Sequence, residues 1–292
     1  MRVVVTGKNG QVVQSLLERG AKCGATILPL GRPELDLAEA SACRELLAAA
    51  KPDVIVSAAA YTAVDKAVSE PELAFKVNAD GPRTIAAAAA ELSVPVIQIS
   101  TDYVFDGSKP EPWTESDEPA PLGVYGASKL AGEAAVLAAS PDNVVLRIGW
   151  VYSPFGANFA KTILRLAGER DTLRIVSDQF GAPSSALDIA DGILTVARNV
   201  CDAPNRAEMR GVFHMGGSGE ATWADFAGEI CAWLKSTRDK HVQIEKITTT
   251  DYPTPARRPL NSRLNSDRLA IIHGFRMPEW RLSLPSILER LA

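Results

Sequence analysis

Residues 124–133, VYGASKLAGE, set a phenol, Tyr125, four positions ahead of an ammonium, Lys129. On a helix that spacing places both side chains on one face. A tyrosine alone, with a pKa of about 10, is a poor proton donor and acceptor at neutral pH. A neighbouring cation stabilises the phenolate and moves the hydroxyl toward the range acid–base chemistry needs. The neighbours Gly126, Ala127 and Ser128 are small enough to let a flat ring and a sugar approach. Two further hydroxyls, Ser100 and Thr101, close an apolar run upstream. Y-x-x-x-K arises by chance about 0.2 times in a chain of this composition, so its meaning depends on what positions it.

The positioning elements are legible in the first half of the chain. Short apolar runs at 2–7, 25–30, 53–59, 95–100 and 143–149 read as strands covered on both faces. Helical stretches alternate with them, at 11–19, 39–50, 71–92 and from Tyr125 onward. Right-handed crossovers then make an α/β fold, a doubly wound, Rossmann-like parallel sheet. Beyond about residue 150 the alternation loosens into the loops SPFGANF, DQFGAPSS and DYPTPARRPLNS, interleaved with helices near 157–169, 185–199, 222–236 and 283–291. Residues 1–150 therefore read as a dinucleotide-binding domain, and 151–292 mainly as a smaller C-terminal substrate lobe, with some segments returning to the first domain. Ligands of open α/β sheets bind at the strands' C-terminal edge, where such a lobe closes.

VVVTGKNGQVV supports a nucleotide at that edge. Gly7, Asn9, Gly10, Gln11 and Val12 lie between the first strand and the first helix, where backbone amides and a helix N-terminus can meet a pyrophosphate. Val13 stands where a third glycine often falls, which implies a wider helix–strand spacing or a local adjustment. Arg32, just past the second strand, either pairs with a 2′-phosphate, favouring NADPH over NADH, or is a solvated surface residue. Asp36, followed by Leu37, suits an adenine edge or a helix cap.

Composition narrows the classes. A net charge of −4 in 292 residues argues against a nucleic-acid or anionic-membrane surface. The four cysteines are scattered, so neither a zinc site nor a disulfide framework is expected. No charged leader and no apolar run of membrane-spanning length is present in these residues, and a cytoplasmic protein is expected. His214, His241 and His273 lack paired spacing and read as structural, and Trp113 as packing or a lid.

AAAYTAVDKAVSEPELAFKVN, STDYVFDG, YGASKLAGE, GWVYSPFGANFAKTILRLA, DQFGAPS and YPTPARRPLNSRLN, in order from residue 2 to about 268, resemble the dTDP-4-dehydrorhamnose reductase family of extended short-chain dehydrogenases/reductases. The resemblance implies that a reduced nicotinamide, NADPH or NADH, delivers hydride to C4 of a dTDP-linked 6-deoxy-4-keto sugar, in the last step of dTDP-L-rhamnose synthesis. Tyr125 would protonate the alkoxide, Lys129 would tune Tyr125 and hold the nicotinamide ribose, and Thr101 would hydrogen-bond the carbonyl oxygen. Ala58, Ala59, Ala60, Tyr61, Ser100 and Trp150 join the glycine turn as cofactor-binding positions, and Asn78 matches a polar helix residue. Asp102, Val104, Trp150, Asn158, Gln179, Arg257 and Arg258 fall at substrate positions, the two arginines as diphosphate donors or as surface residues. Some members dimerise through glutamates around magnesium; Leu187 and Arg290 stand at the matching places, so no metal is expected, and a monomer or weak dimer is. Two rivals share the scaffold: another nucleotide-sugar reductase or epimerase, and a dinucleotide-binding regulatory subunit like that of methionine adenosyltransferase.

Overall fold

The computed structural model describes residues 1–39 and 43–292. Five strands, β1 (Arg2–Thr6), β2 (Thr26–Leu30), β3 (Val54–Ser57), β4 (Val96–Thr101) and β5 (Val144–Ile148), join a sixth, Gly211–His214, in one sheet. All pairings are parallel, in the order Gly211–His214, β5, β4, β3, β1, β2. The strands read as unbroken apolar runs because both faces are covered. Val3, Val5, Ile97 and Leu146 pack toward one helical layer, while Val4, Ile55 and Val96 pack toward the other. The first layer contains α1 (Gln11–Lys22), the second α2 (Cys43–Ala50), and the helix expected over 39–50 therefore lies partly outside the described residues.

The helix expected over 71–92 is three consecutive pieces: α3 (Pro71–Phe75), a π-helical turn at Lys76–Asp80, and α4 (Gly81–Glu91). Pro82 lacks an N–H and crowds the preceding turn, and the widened turn sits just before it. That widening has a use. Buried Asn78 accepts from the Tyr61 amide at 2.8 Å and donates to Ser128 Oγ at 3.0 Å, tying the loop after β3 to α5 (Val124–Ala139).

In the second half, α6 (Phe159–Glu169), α7 (Ala186–Asp202), α8 (Trp223–Arg238), α9 (Asp267–His273) and α10 (Trp280–Leu291) follow in chain order. Tyr152, Ile163, Phe226, Ile230, Trp280 and Leu284 form a hydrophobic cluster of their own, beside a parallel pair of strands, Thr172–Val176 and Gln243–Ile247. By contrast α7 buries Ile189, Ile193 and Val196 in the main core beside Leu16 of α1. Strand Gly211–His214, which comes after the loosely alternating second half begins, returns to the first domain and pairs with β5 at the sheet's edge.

Candidate active site

The strand order reverses between β1 and β3, and a cleft of about 810 Å³ opens there at the C-terminal edge of the sheet. Gly7 turns the chain out of β1 with φ +95°, a conformation L side chains rarely adopt. Gly10 caps α1, whose first-turn amides have no carbonyl one turn back to bond. On the far side, Ala58 and Ala59 leave β3 early because their amides bond Thr6 Oγ1 at 3.0 and 2.9 Å. Gly7, Asn9, Gly10, Gln11, Val12, Arg32, Ala58, Ala59 and Ala60 all line the cleft. This donor set, a helix N-terminus with an arginine at the β2 end, fits a dinucleotide phosphate.

At the other end of the same cleft are Ser100, Thr101, Asp102, Tyr125, Lys129 and Trp150. Buried Lys129 donates from Nζ to the Ile99 carbonyl at 2.7 Å. Burial pulls its pKa down to about 8, while Glu133 one turn along α5 pulls the other way. Tyr125 is pushed up from its ordinary value, chiefly by burial, with a hydrogen bond from Thr101 opposing and Asp102 and Tyr103 adding to the rise. The phenol is thus neutral at pH 7, and the lowering expected from Lys129 is not found: Lys129 is not among the groups that shift Tyr125, its Nζ being turned to the Ile99 carbonyl. Asp102 is 3% exposed and raised to about 6 by burial, against hydrogen bonds from Ser262 and Thr101.

Behind the pair stands a buried ion pair. Arg147 of β5 donates to Glu133 from Nη2 at 2.7 Å and from Nε at 3.0 Å, and Ser100 Oγ donates to Glu133 Oε1. Glu133 therefore fixes α5 to both β4 and β5, eight residues from Tyr125 on the same helix face. His214, fully buried, places Nδ1 3.0 Å from the Trp113 carbonyl and Nε2 3.4 Å from Arg147 Nη1, the satisfied structural histidine expected of it. Trp113 stacks on Phe105 at 4.4 Å as packing.

Some expected ligand positions lie elsewhere. Val104 is fully buried beside Phe105 and Trp113, so its side chain cannot reach a sugar. Asp36 accepts from the Ala38 amide at 2.9 Å and Leu37 packs against Gly81, neither lining the cleft. Tyr61 also stands outside it, its hydroxyl on Glu70 at 2.7 Å. Asn158 caps α6 and donates to Gln11 Oε1 at 3.1 Å, joining the lobe to the glycine turn. Arg258 lines the cleft but is paired with Asp65 at 2.8 Å, whereas Arg257 faces a separate small pocket beside Tyr125. The small residues of α5 also serve a different end from the one expected. A Cβ on Gly126 would come within 2.1 Å of the Tyr103 carbonyl, and one on Gly132 within 2.1 Å of the Asn78 carbonyl. They let α5 press against protein backbone, which is what brings Tyr125 and Lys129 to the sheet edge. Val13 causes no misfit: it is core, 3.6 Å from where a Cβ on Gly7 would lie.

The family model of the RmlD substrate binding domain matches residues 1–292. The chain belongs to this family. A dTDP-4-dehydrorhamnose reductase of Sinorhizobium fredii is 50% identical over 283 residues, covering 97% of this chain and 95% of that one. Among solved structures, a dTDP-4-dehydrorhamnose reductase from Clostridium acetobutylicum superposes with a TM-score of 0.92 at 36% identity, covering 100% of this chain and 99% of the other. The Bacillus anthracis enzyme, in complex with NADP, gives 0.90 at 32%, covering 99% and 98%.

In this RmlD-family chain the cleft has an aromatic wall, of which the sequence pointed to Trp150 but not to Trp223. Trp150 has φ +49°, strained for a bulky residue, and its ring stacks on Trp223 at 3.5 Å. Trp150 Nε1 donates to Ser262 Oγ at 3.1 Å, and Trp223 Nε1 to Gln179 Oε1 at 3.1 Å. Gln179 therefore acts on the cleft through Trp223 without lining it. Gly181 is needed here, since its Cβ would sit 2.2 Å from the Trp150 ring. The Thr222-x-x-Asp225 capping box ahead of Trp223 marks a helix start, but nothing local says which indole it faces.

Proposed function

We propose that this chain reduces the C4 ketone of dTDP-4-dehydro-L-rhamnose to give dTDP-L-rhamnose, with NADPH the favoured coenzyme and NADH the alternative. The observation that carries the reading is the meeting, in one cleft, of the glycine turn at the α1 N-terminus with Thr101, Tyr125 and Lys129. Family membership and the named activities of relatives matched over nearly their full length support it. The NADP of the Bacillus anthracis enzyme supports the choice of coenzyme.

A bound reduced dinucleotide supplies the hydride. The amides around Gly7–Val12 hold its pyrophosphate, Arg32 takes a 2′-phosphate, and Ala58–Ala60, Ser100 and Lys129 border its nicotinamide end. Tyr125 gives its proton to the alkoxide oxygen formed at C4. Lys129, protonated at neutral pH, stabilises the phenolate left behind, and this complementarity to developing charge is where the rate arises. Trp150, Asp102 and Arg258 border the sugar and its diphosphate, with Trp223 completing the wall. No helix among the described residues is long and apolar enough to cross a membrane, in keeping with a cytoplasmic enzyme. We take it as a monomer or weak dimer.

The test is to incubate purified protein with dTDP-4-dehydro-L-rhamnose and either coenzyme, following nicotinamide absorbance and identifying the product by NMR. One coenzyme oxidised per dTDP-L-rhamnose formed is expected. Sugar conversion with no net coenzyme consumption would mean an epimerase. Coenzyme binding without turnover, together with a stoichiometric enzyme partner, would mean a regulatory subunit.

A further inference from the structure

Asp65 belongs to the same loop after β3 as Ala58, Ala59, Ala60, Thr62 and Val64, all of which line the cleft. Both of its carboxylate oxygens are spent on one short segment: Oδ2 accepts from Arg258 Nη2 at 2.8 Å, and Oδ1 from the Ala256 amide at 3.2 Å. Residues 253–259 belong to neither helix nor strand, so side chains and tight packing must hold them. Thr254 Oγ1 donates to the Ala256 carbonyl at 2.9 Å, and the Leu260 carbonyl accepts from the Phe180 amide at 2.7 Å. Gly107 lets the chain pass close, since its Cβ would lie 2.6 Å from the Leu260 nitrogen and 2.7 Å from Pro259. Between these anchors Asp65 holds the Arg258 side chain. Arg258 keeps unspent capacity, because a guanidinium presents several N–H donors in a fixed fork. Its Nε is buried without a hydrogen-bond partner among the described residues, although the side chain lines the cleft. A buried donor without an acceptor is costly, and an oxygen arriving in the cleft relieves that cost.

We propose that Asp65 is a positioning residue: by gripping Arg258 through Nη2 it holds the rest of the guanidinium ready for the diphosphate of the sugar nucleotide, and so sets affinity for that substrate without taking part in hydride or proton transfer. The proposal rests on the reductase reading above, in which Arg258 borders the diphosphate. Two effects oppose each other. A free arginine side chain loses rotamer entropy when a ligand fixes it, and one already fixed does not. Against that, the Asp65 carboxylate stands near the place the diphosphate takes. Its side chain is 41% exposed and that of Arg258 25%, so water screens the carboxylate more than the guanidinium. Pre-orientation therefore outweighs repulsion, and loss of Asp65 weakens binding. The bond to the Ala256 amide works in the same direction, since it steadies the backbone that carries Arg258. The coenzyme side of the loop has anchors of its own: Ala58 and Ala59 are held by Thr6 Oγ1, and Tyr61 by Asn78.

Calorimetric binding of dTDP in the presence of NADPH reads the diphosphate contact apart from turnover. Wild type, Asp65→Ala, Arg258→Ala and the double variant form a cycle, with folding checked by circular dichroism, NADPH affinity by fluorescence, and kcat and KM by keto-sugar reduction. Expected are a loss of about tenfold in dTDP affinity in each single variant, and little further loss when Asp65→Ala is added to Arg258→Ala. In Asp65→Ala the sugar KM should rise by the same factor, while kcat and NADPH affinity stay within about twofold. Asp65→Asn, which keeps one acceptor oxygen, should recover part of the loss; if the alanine variant does not fold, the cycle is run with asparagine. Unchanged or tighter dTDP binding in Asp65→Ala would overturn the proposal. So would an equal factor lost in the Arg258→Ala background, which would mean that Asp65 acts without Arg258, or a loss confined to kcat or NADPH affinity. A wild type that binds dTDP and NADPH but leaves the keto sugar unreduced overturns the reading of the reaction, and the dTDP cycle still decides the role of Asp65; a wild type that does not bind dTDP overturns both.

Discussion

Replacing Asp102 by Asn removes a buried carboxyl whose pKa stands at about 6 against an ordinary 3.8. The sign follows from proton uptake. Between those two values the folded protein holds a proton on Asp102 that the unfolded chain has released, so this residue's contribution to stability falls as pH rises from 3.8 toward 6. Once both states are ionised, keeping the carboxylate buried costs about 3 kcal/mol, at about 1.4 kcal/mol per pH unit of displacement. The isosteric amide carries no such cost. Urea unfolding of wild type and Asp102→Asn at a series of pH values should therefore show the variant gaining on wild type by about 2 kcal/mol between about pH 4.5 and about pH 7.5, with the change centred below 6. Tyr103 and Tyr125 are raised and stay neutral in this range, and Lys129 and the Arg258–Asp65 pair are common to both proteins, so their contributions cancel in the difference. A difference that is flat with pH, or of opposite slope, would refute the claim that Asp102 is desolvated in the folded state. Stability gained at neutral pH alongside turnover lost would identify Asp102 as a residue held at a cost for function.

Tyr125→Phe should bind NADPH as wild type does and lose turnover by orders of magnitude, since the proton donor goes while the cleft stays; near-normal kcat would end the donor assignment. Lys129→Met should impair both kcat and coenzyme affinity, and an effect on neither would reduce the lysine to packing. Glu133→Gln should destabilise the fold by about 3–5 kcal/mol in denaturant titration by leaving Arg147 buried and unpaired, whereas Glu133→Leu with Arg147→Met should cost clearly less. Arg32→Glu should shift preference from NADPH toward NADH, read as the ratio of kcat/KM values; an unchanged ratio would leave Arg32 a surface residue.

Much of the scaffold could be read locally. The stretches Val3–Val5 and Val54–Val56 are apolar at every position because both sheet faces are covered, so neither period nor partner had to be known to place five of the six strands. The glycine turn and the Tyr125–Lys129 spacing were legible for the same reason: they are short-range patterns whose chemistry depends on backbone conformation and one helical turn. Gly126 and Gly132 were visible as small residues, but their service was not, because the carbonyls they admit belong to Tyr103 and Asn78, far off in sequence.

What residue order determined by itself is therefore a parallel α/β sheet with a nucleotide turn at one strand end and a phenol–ammonium pair at another. Tertiary structure alone decided that Val104 faces the core, that Trp223 stacks on Trp150 and that Arg258 meets Asp65. Each of these depends on which side chains, distant in the chain, are packed into contact. Periodicity carries no record of that, since it reports which face of an element is buried and not what lies against it.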